Sequence, residues 1–176
     1  MATIVIGGHS RNVGKTSVVA GLISALPNHQ WSAFKITQYG HGICSQNGAA
    51  CDCACADHSW AVSEERDRSG ESDTSRFLVA GAVRSWWVRT EQGRLAEAMP
   101  LVREKIAQAS NAIIESNSVM EFLKPNLYLT VLDSDTTDVT SPMPWHISRT
   151  RMRRDRDATA IPLFRPEIPN EKNSCR

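Results

Sequence analysis

No run of eighteen apolar residues occurs in this chain, so no membrane-spanning helix is expected. The first residues lack a basic segment followed by a purely apolar one, which argues against a secretory signal peptide. The expectation is a cytoplasmic protein whose five cysteines stay mostly reduced. A large net charge is missing too. Twenty basic residues stand against nineteen acidic ones, which gives no reason to expect a nucleic-acid or membrane partner. No internal repeat is visible, and spacing alone places no Ser-His-Asp or paired-carboxylate arrangement, since such partners meet in space. The C-terminal stretch contains no N-K-x-D, the guanine-reading motif of many GTPases, so the sequence leaves the base of any bound nucleotide unread.

What is present suits an ordinary globular protein. With 176 residues, 41% of them hydrophobic, the chain is long enough for one domain with a real core. Charge divides the chain. Residues 1–140 hold 12 basic and 15 acidic side chains, whereas residues 141–176 hold 8 and 4 and carry five of the eight prolines. We expect a domain over 1–140 and an irregular or disordered tail over 141–176, with no sustained period of its own.

Apolar periodicity outlines an α/β fold. Thr3–Ile6 suits a buried strand ending at Gly7-Gly8. Residues 15–26 place Val18, Val19, Leu22, Ile23 and Leu26 on one helical face, stopped at Pro27-Asn28. "WSAFKIT" reads as a second strand. Residues 39–72 are rich in Gly, Cys, Ser and charge without a period, which predicts a functional loop, an insertion or disorder. "DTSRFLVAGA" predicts a short helix capped by Asp73, and "VRSWWVRT" a strand. Leu95, Ala98, Met99, Val102 and Ile106 predict a helix over about 93–108, and "NAIIES" and "NLYLTVLD" two further strands. Strands alternating with helices predict a mainly parallel sheet flanked by helices. Trp86-Trp87 are expected in the core or at the interface of a homodimer.

The chemistry concentrates at "GHSRNVGKTS", residues 8–17. A strand, a glycine-containing loop, Gly14-Lys15-Thr16 and then a helix is the context a phosphate cradle requires, with backbone N–H groups and the helix N-terminus facing the anion. Lys15 would bring charge to the β- and γ-phosphates, and the Thr16 hydroxyl could ligate Mg²⁺. Gly8, His9, Ser10, Arg11, Asn12, Val13, Gly14 and Ser17 complete the candidate cradle. Its first glycine lies one residue further from Gly14 than the usual G-x-x-x-x-G-K-[ST] allows.

That longer loop resembles the G-x-x-x-x-x-G-K-T of dethiobiotin synthetases, and "FKITQYG" looks like their K-P-x-Q-T-G, with Lys35 at the lysine. The order of the P-loop, Lys35, "SDTSRFLVAGA" and "AIIESN" over residues 3–133 is also similar to the MobB-type molybdopterin-guanine dinucleotide biosynthesis proteins. Ile36-Thr37 stand where that family tends to have histidine, and Ser116-Asn117 replace a glycine. This resemblance implies a P-loop NTPase-like fold and a GTP-binding accessory protein in molybdenum-cofactor maturation. Such a protein would assist a separate nucleotidyltransferase, with GTP (or ATP) and Mg²⁺ as ligands. Hydrolysis would be slow, because no in-cis arginine finger or water-positioning glutamine is identifiable. Two other functions stay open: an ATP-dependent ligase similar to dethiobiotin synthetase, and a metal-delivery GTPase.

Glu115 ends a buried apolar strand, where ligands of open α/β sheets bind, and could hold Mg²⁺ together with Thr16. Lys35, read as another strand-end residue, could touch the γ-phosphate or an acidic substrate, or be a surface lysine. Asp73 and Arg76 match a D-x-x-R of the resembled family, while a helix cap and a surface arginine are the plainer readings. Finally, Cys44, Cys51, Cys53 and Cys55, with His41 or His58 as substitutes, are dense enough to suggest a tetrahedral Zn²⁺ site. Their C-x-C-x-C spacing is not the usual C-x₂-C knuckle, and incidental reduced thiols in a loop explain them equally simply.

Overall fold

The structure, a computed structural model, describes residues 1–10, 12–40 and 59–132. Six strands form one sheet: β1 (Thr3–Gly8), β2 (Trp31–Tyr39), β3 (Trp60–Glu65), β4 (Arg84–Glu91), β5 (Asn111–Glu115) and β6 (Leu127–Val131). Their spatial order is β3-β4-β2-β5-β1-β6, with every neighbouring pair parallel except β3 against β4. Among the described residues three α-helices cover it, α1 (Lys15–Ala25), α2 (Asp73–Val79) and α3 (Leu95–Ala107).

Alternation along the strands sorts side chains to two cores. Phe34, Ile36, Trp86, Val88, Ala112 and Ile114 face α3, whose Leu95, Ala98, Met99, Val102 and Ile106 recur at helical spacing and are all buried. Pro100 sits inside α3, past its first turn, where it removes the N–H that would bond the Ala96 carbonyl. Ile6, Ala33 and Ile113 point the other way, against Val19 and Ile23 of α1 and Phe77 and Leu78 of α2. Fully burying a side chain such as Phe34 or Phe77 stabilises by roughly 1.5–3 kcal/mol.

Local signals explain the helix ends. Gly14 precedes α1 with φ 97, a left-handed conformation that glycine adopts without penalty. Pro27 stops α1, and the Trp31 indole N–H donates to the terminal Leu26 carbonyl at 3.0 Å. At the end of α2 the N–H of Gly81 bonds the Leu78 carbonyl and that of Ala82 the Phe77 carbonyl, with Gly81 left-handed at φ 108. This is a Schellman closure.

Three expectations need correction. Asp73 is the first helical residue of α2, and the cap is Ser72, whose hydroxyl accepts from the Ser75 N–H at 3.0 Å. The stretch 39–72 contains β3, an antiparallel edge strand whose half-exposed faces give it little apolar alternation to read. Lys35 is not at a strand end, because β2 runs on to Tyr39, paired with β4 as far as Glu91. Residues 41–58 and 133–176, including the expected disordered tail, lie outside the described residues.

Candidate functional site

The carboxyl ends of β1, β2 and β5 lie side by side, so three separate sequence segments meet there. Lys35 and Glu115 are register partners on parallel neighbours β2 and β5, on the face that carries Ala33 and Ile113 farther back. Along this face the residue type changes from apolar, under α1 and α2, to charged beside the first turns of those helices. Lys35 Nζ donates to Glu115 Oε1 at 2.9 Å. It also donates to Asp73 at the start of α2 and lies 3.5 Å from Thr16 Oγ1. Thr16 Oγ1 in turn donates to Glu115 Oε2 at 2.8 Å. Glu115 is nearly buried, its side chain 7% exposed.

The loop from Gly8 to Lys15 wraps over this cluster. Asn12 (φ 61) and Gly14 (φ 97) are left-handed, which bends the chain back on itself. At Gly8 a Cβ would stand 2.7 Å from Val13 Cγ1 and 3.1 Å from the Lys15 stem, so the close approach needs glycine. The Gly8 N–H donates to Asn117 Oδ1 at 3.0 Å, which anchors the loop to the segment after β5. Lys15 Nζ donates to the Ser10 carbonyl at 2.6 Å, folded across its own loop. Burial is the largest influence on Lys15 and lowers its pKa below the ordinary 10.5; Glu115 opposes this and Lys35 adds to it. Lys15, Thr16 and Ser17 form the first turn of α1, which has no side-chain cap and no acidic residue. Their N–H groups have no intrahelical acceptor.

Together these residues line an open cleft of about 920 Å³. Of the residues predicted from sequence, Asn12, Gly14, Lys15, Thr16, Ser17, Lys35 and Glu115 line it. Gly8 and Val13 shape the loop behind it, and His9 and Ser10 are exposed on the loop's outer turn. Arg11 and the four candidate zinc ligands Cys44, Cys51, Cys53 and Cys55 lie outside the described residues. Among the described residues there is no group of three or more His, Cys, Asp and Glu side chains able to hold a metal. The two carboxylates and the hydroxyl around Lys35 Nζ are hard oxygen donors, a set that suits Mg²⁺ completed by water and phosphate.

Sequence reasoning undervalued Asp73 and Asn117. Asp73 read as a cap, and only the packing of α2 over β2 turns its carboxylate to Lys35. Asn117 appeared as a departure from a family glycine, with nothing in the sequence to connect it to Gly8. Trp86 belongs to the core, whereas Trp87 is half-buried on the cleft wall.

Comparison of the chain with protein-family models, with curated proteins and with solved structures finds no match. Among the described residues no helix is long and apolar enough to cross a membrane.

Proposed function

We propose that the cleft binds a nucleoside triphosphate with Mg²⁺ in the manner of a P-loop protein. The observation that carries this is the 2.8 Å bond from Thr16, in the first turn of a helix that follows a glycine loop, to the buried Glu115 carboxylate. A hydroxyl and a carboxylate so paired are the two protein groups that Mg²⁺ uses in such sites, while Lys15 and the open N–H groups of α1 face the phosphates. Lys15 would leave the Ser10 carbonyl for a phosphate oxygen, a stronger, charge-assisted partner. The sequence offers no identifiable in-cis arginine finger or water-positioning glutamine, so the expected activity is tight binding with slow hydrolysis.

The resemblance to MobB-type proteins extends this reading to a GTP-binding accessory protein of molybdenum-cofactor maturation, working beside a nucleotidyltransferase. Titration with GTP and ATP, each with and without Mg²⁺, tests the first step and identifies the base. Binding that needs Mg²⁺ and disappears in a folded Lys15→Ala protein is the expected result. Unchanged affinity in that variant would sink the proposal. Pull-down with a nucleotidyltransferase of that pathway tests the second step separately.

A further inference from the structure

Asn117 stands two positions after Glu115, exposed and on the wall of the cleft. The turn that carries it is firmly held. The Ser116 N–H donates to the Ile6 carbonyl at 3.0 Å, so the pairing of β5 with β1 runs one residue past the strand. Ser116 Oγ accepts from the N–H groups of Ser118 and Val119 at 3.2 and 3.1 Å. Ser118 Oγ in turn accepts from Gln38 Nε2 of β2 at 2.9 Å. Asn117 thus sits between two anchored serines, and its backbone has little freedom left to lose when a ligand arrives.

The two ends of its side chain are not equivalent. The Gly8 N–H can only donate, so the atom 3.0 Å from it is the amide oxygen. This fixes the orientation of the amide and leaves Nδ2, with two N–H donors, at the other end. Among the described residues Nδ2 has no hydrogen-bond partner. Its neighbours are the groups that meet a terminal phosphate. A Cβ on Gly8 would stand 3.1 Å from the Lys15 stem, so Asn117 and Lys15 flank the same glycine. Lys15 brings its charge to the β- and γ-phosphates, and Thr16 and Glu115 mark the metal that bridges those two groups. A γ-phosphate has three outer oxygens. With one on the metal and one on Lys15, the third is open to a donor from the segment that joins Glu115 to Gly8.

We propose that Asn117 is the residue by which this site tells a nucleoside triphosphate from a diphosphate. Nδ2 donates to the third γ-phosphate oxygen while Oδ1 keeps the loop in place. The proposal rests on the nucleotide reading of the cleft and adds to it the selection of the γ-phosphate. Lys15 and the metal select it less sharply, because both also serve the β-phosphate.

The test is calorimetric titration of the full chain, with Mg²⁺, by GDP, ADP and the β,γ-imido analogues of GTP and ATP. Asn117→Asp separates the two ends of the side chain. It keeps an oxygen for the Gly8 N–H, so the ligand-free Tm should hold, and it replaces the donor by a negative charge. Its triphosphate affinity should fall at least about tenfold further than its diphosphate affinity, the usual worth of a hydrogen bond to a charged group. Repeating the titration in about 0.5 M salt, where the screening length is about 4 Å, suppresses the general repulsion of the new charge and should leave that difference. Asn117→Ala carries no charge. Losing the Gly8 anchor should weaken both nucleotides, and the ratio of triphosphate to diphosphate affinity should still fall by a similar factor. A ratio unchanged in Asn117→Ala, or unchanged in Asn117→Asp at high salt should the alanine variant not fold, overturns the proposal and leaves Asn117 an anchor of the loop. Equal binding of triphosphate and diphosphate by the unchanged chain overturns it too. A chain that binds neither overturns the nucleotide reading and this proposal with it, whereas one that binds both at a ratio the variants do not move overturns this proposal alone.

Discussion

Lys15 and Lys35 face the same carboxylate from different elements, and they should answer to different measurements. Lys15 has a pKa below the ordinary 10.5 because burial disfavours its charge, with Lys35 adding to that and Glu115 opposing. A phosphate beside it would raise that pKa again, so nucleotide binding should take up a proton wherever free Lys15 is partly neutral. Affinity is then fullest below the pKa of free Lys15 and falls as pH rises through it, earlier than an ordinary lysine would allow. Calorimetry in two buffers of different ionisation heat at alkaline pH checks the uptake, and no uptake would contradict it. Lys35 holds its ammonium among Glu115, Thr16 and Asp73, the oxygens a divalent cation would use. Lys35→Met should therefore raise Mn²⁺ affinity of the nucleotide-free protein at least about tenfold, as only 1.4 kcal/mol of relieved repulsion suffices. The same change should weaken Mg²⁺-nucleotide binding. A merely structural lysine would not move the two in opposite directions. Lys15, Thr16 and Glu115 were legible in sequence because each abuts a strand or helix boundary that periodicity reveals. Lys35 was legible as a residue but not in its role, since its partners lie 38 and 80 positions away.

The start of α2 is the element on which the Asp73–Lys35 contact depends. Glu65, the last residue of β3, accepts from Thr74 Oγ1 at 2.8 Å and Ser72 Oγ at 3.1 Å, and so ties α2 to the sheet edge. Burial pushes the Glu65 carboxyl up, but the bonds from Thr74, Ser72 and the N–H groups of Asp67 and Arg66 outweigh it, and its pKa lies below the ordinary 4.5. For an acid depressed in the folded state, the stabilisation is complete above the unfolded value and is lost as pH falls through the folded one. Glu65→Gln should thus destabilise at neutral pH by about 1 kcal/mol, since a neutral amide oxygen accepts these bonds less strongly than a carboxylate does. The difference from the unchanged protein should shrink below pH 4.5. Urea unfolding at pH 7 and pH 4 measures both, and a pH-independent difference would mean that Glu65 acts through packing alone. Periodicity missed this junction for a physical reason. β3 is an edge strand with all six residues half-buried, so it carries no alternation, and Ser72 and Asp73 are equally plausible caps until the Ser75 N–H chooses.

At the scale of the whole molecule, the two edges of the sheet are built differently. At the amino edge Asn111 and Asn126 fasten the chain start, accepting from the N–H groups of Ala2 at 2.7 Å and Thr3 at 2.8 Å. At the carboxyl edge charged groups face the cleft from β2, β5 and α2. Nucleotide binding should therefore stabilise the whole sheet, because β1, β2 and β5 contribute to the site and also form its centre. At a hundred times the dissociation constant the gain is about 2.7 kcal/mol. For a domain of this size that raises Tm by roughly 5–11 °C. Lys15→Ala should leave the ligand-free Tm within about 1 °C, since its stem is not needed by either core, and should abolish the rise. Phe34→Ala should do the reverse. It removes a fully buried ring and costs about 3–5 kcal/mol of stability, yet should keep a ligand-induced rise in whatever protein remains folded. Thermal melts of the three proteins, with and without Mg²⁺-nucleotide, decide the matter. A ligand-induced rise in Lys15→Ala equal to that of the unchanged chain would mean that the nucleotide stabilises from somewhere other than the Gly8–Lys15 loop.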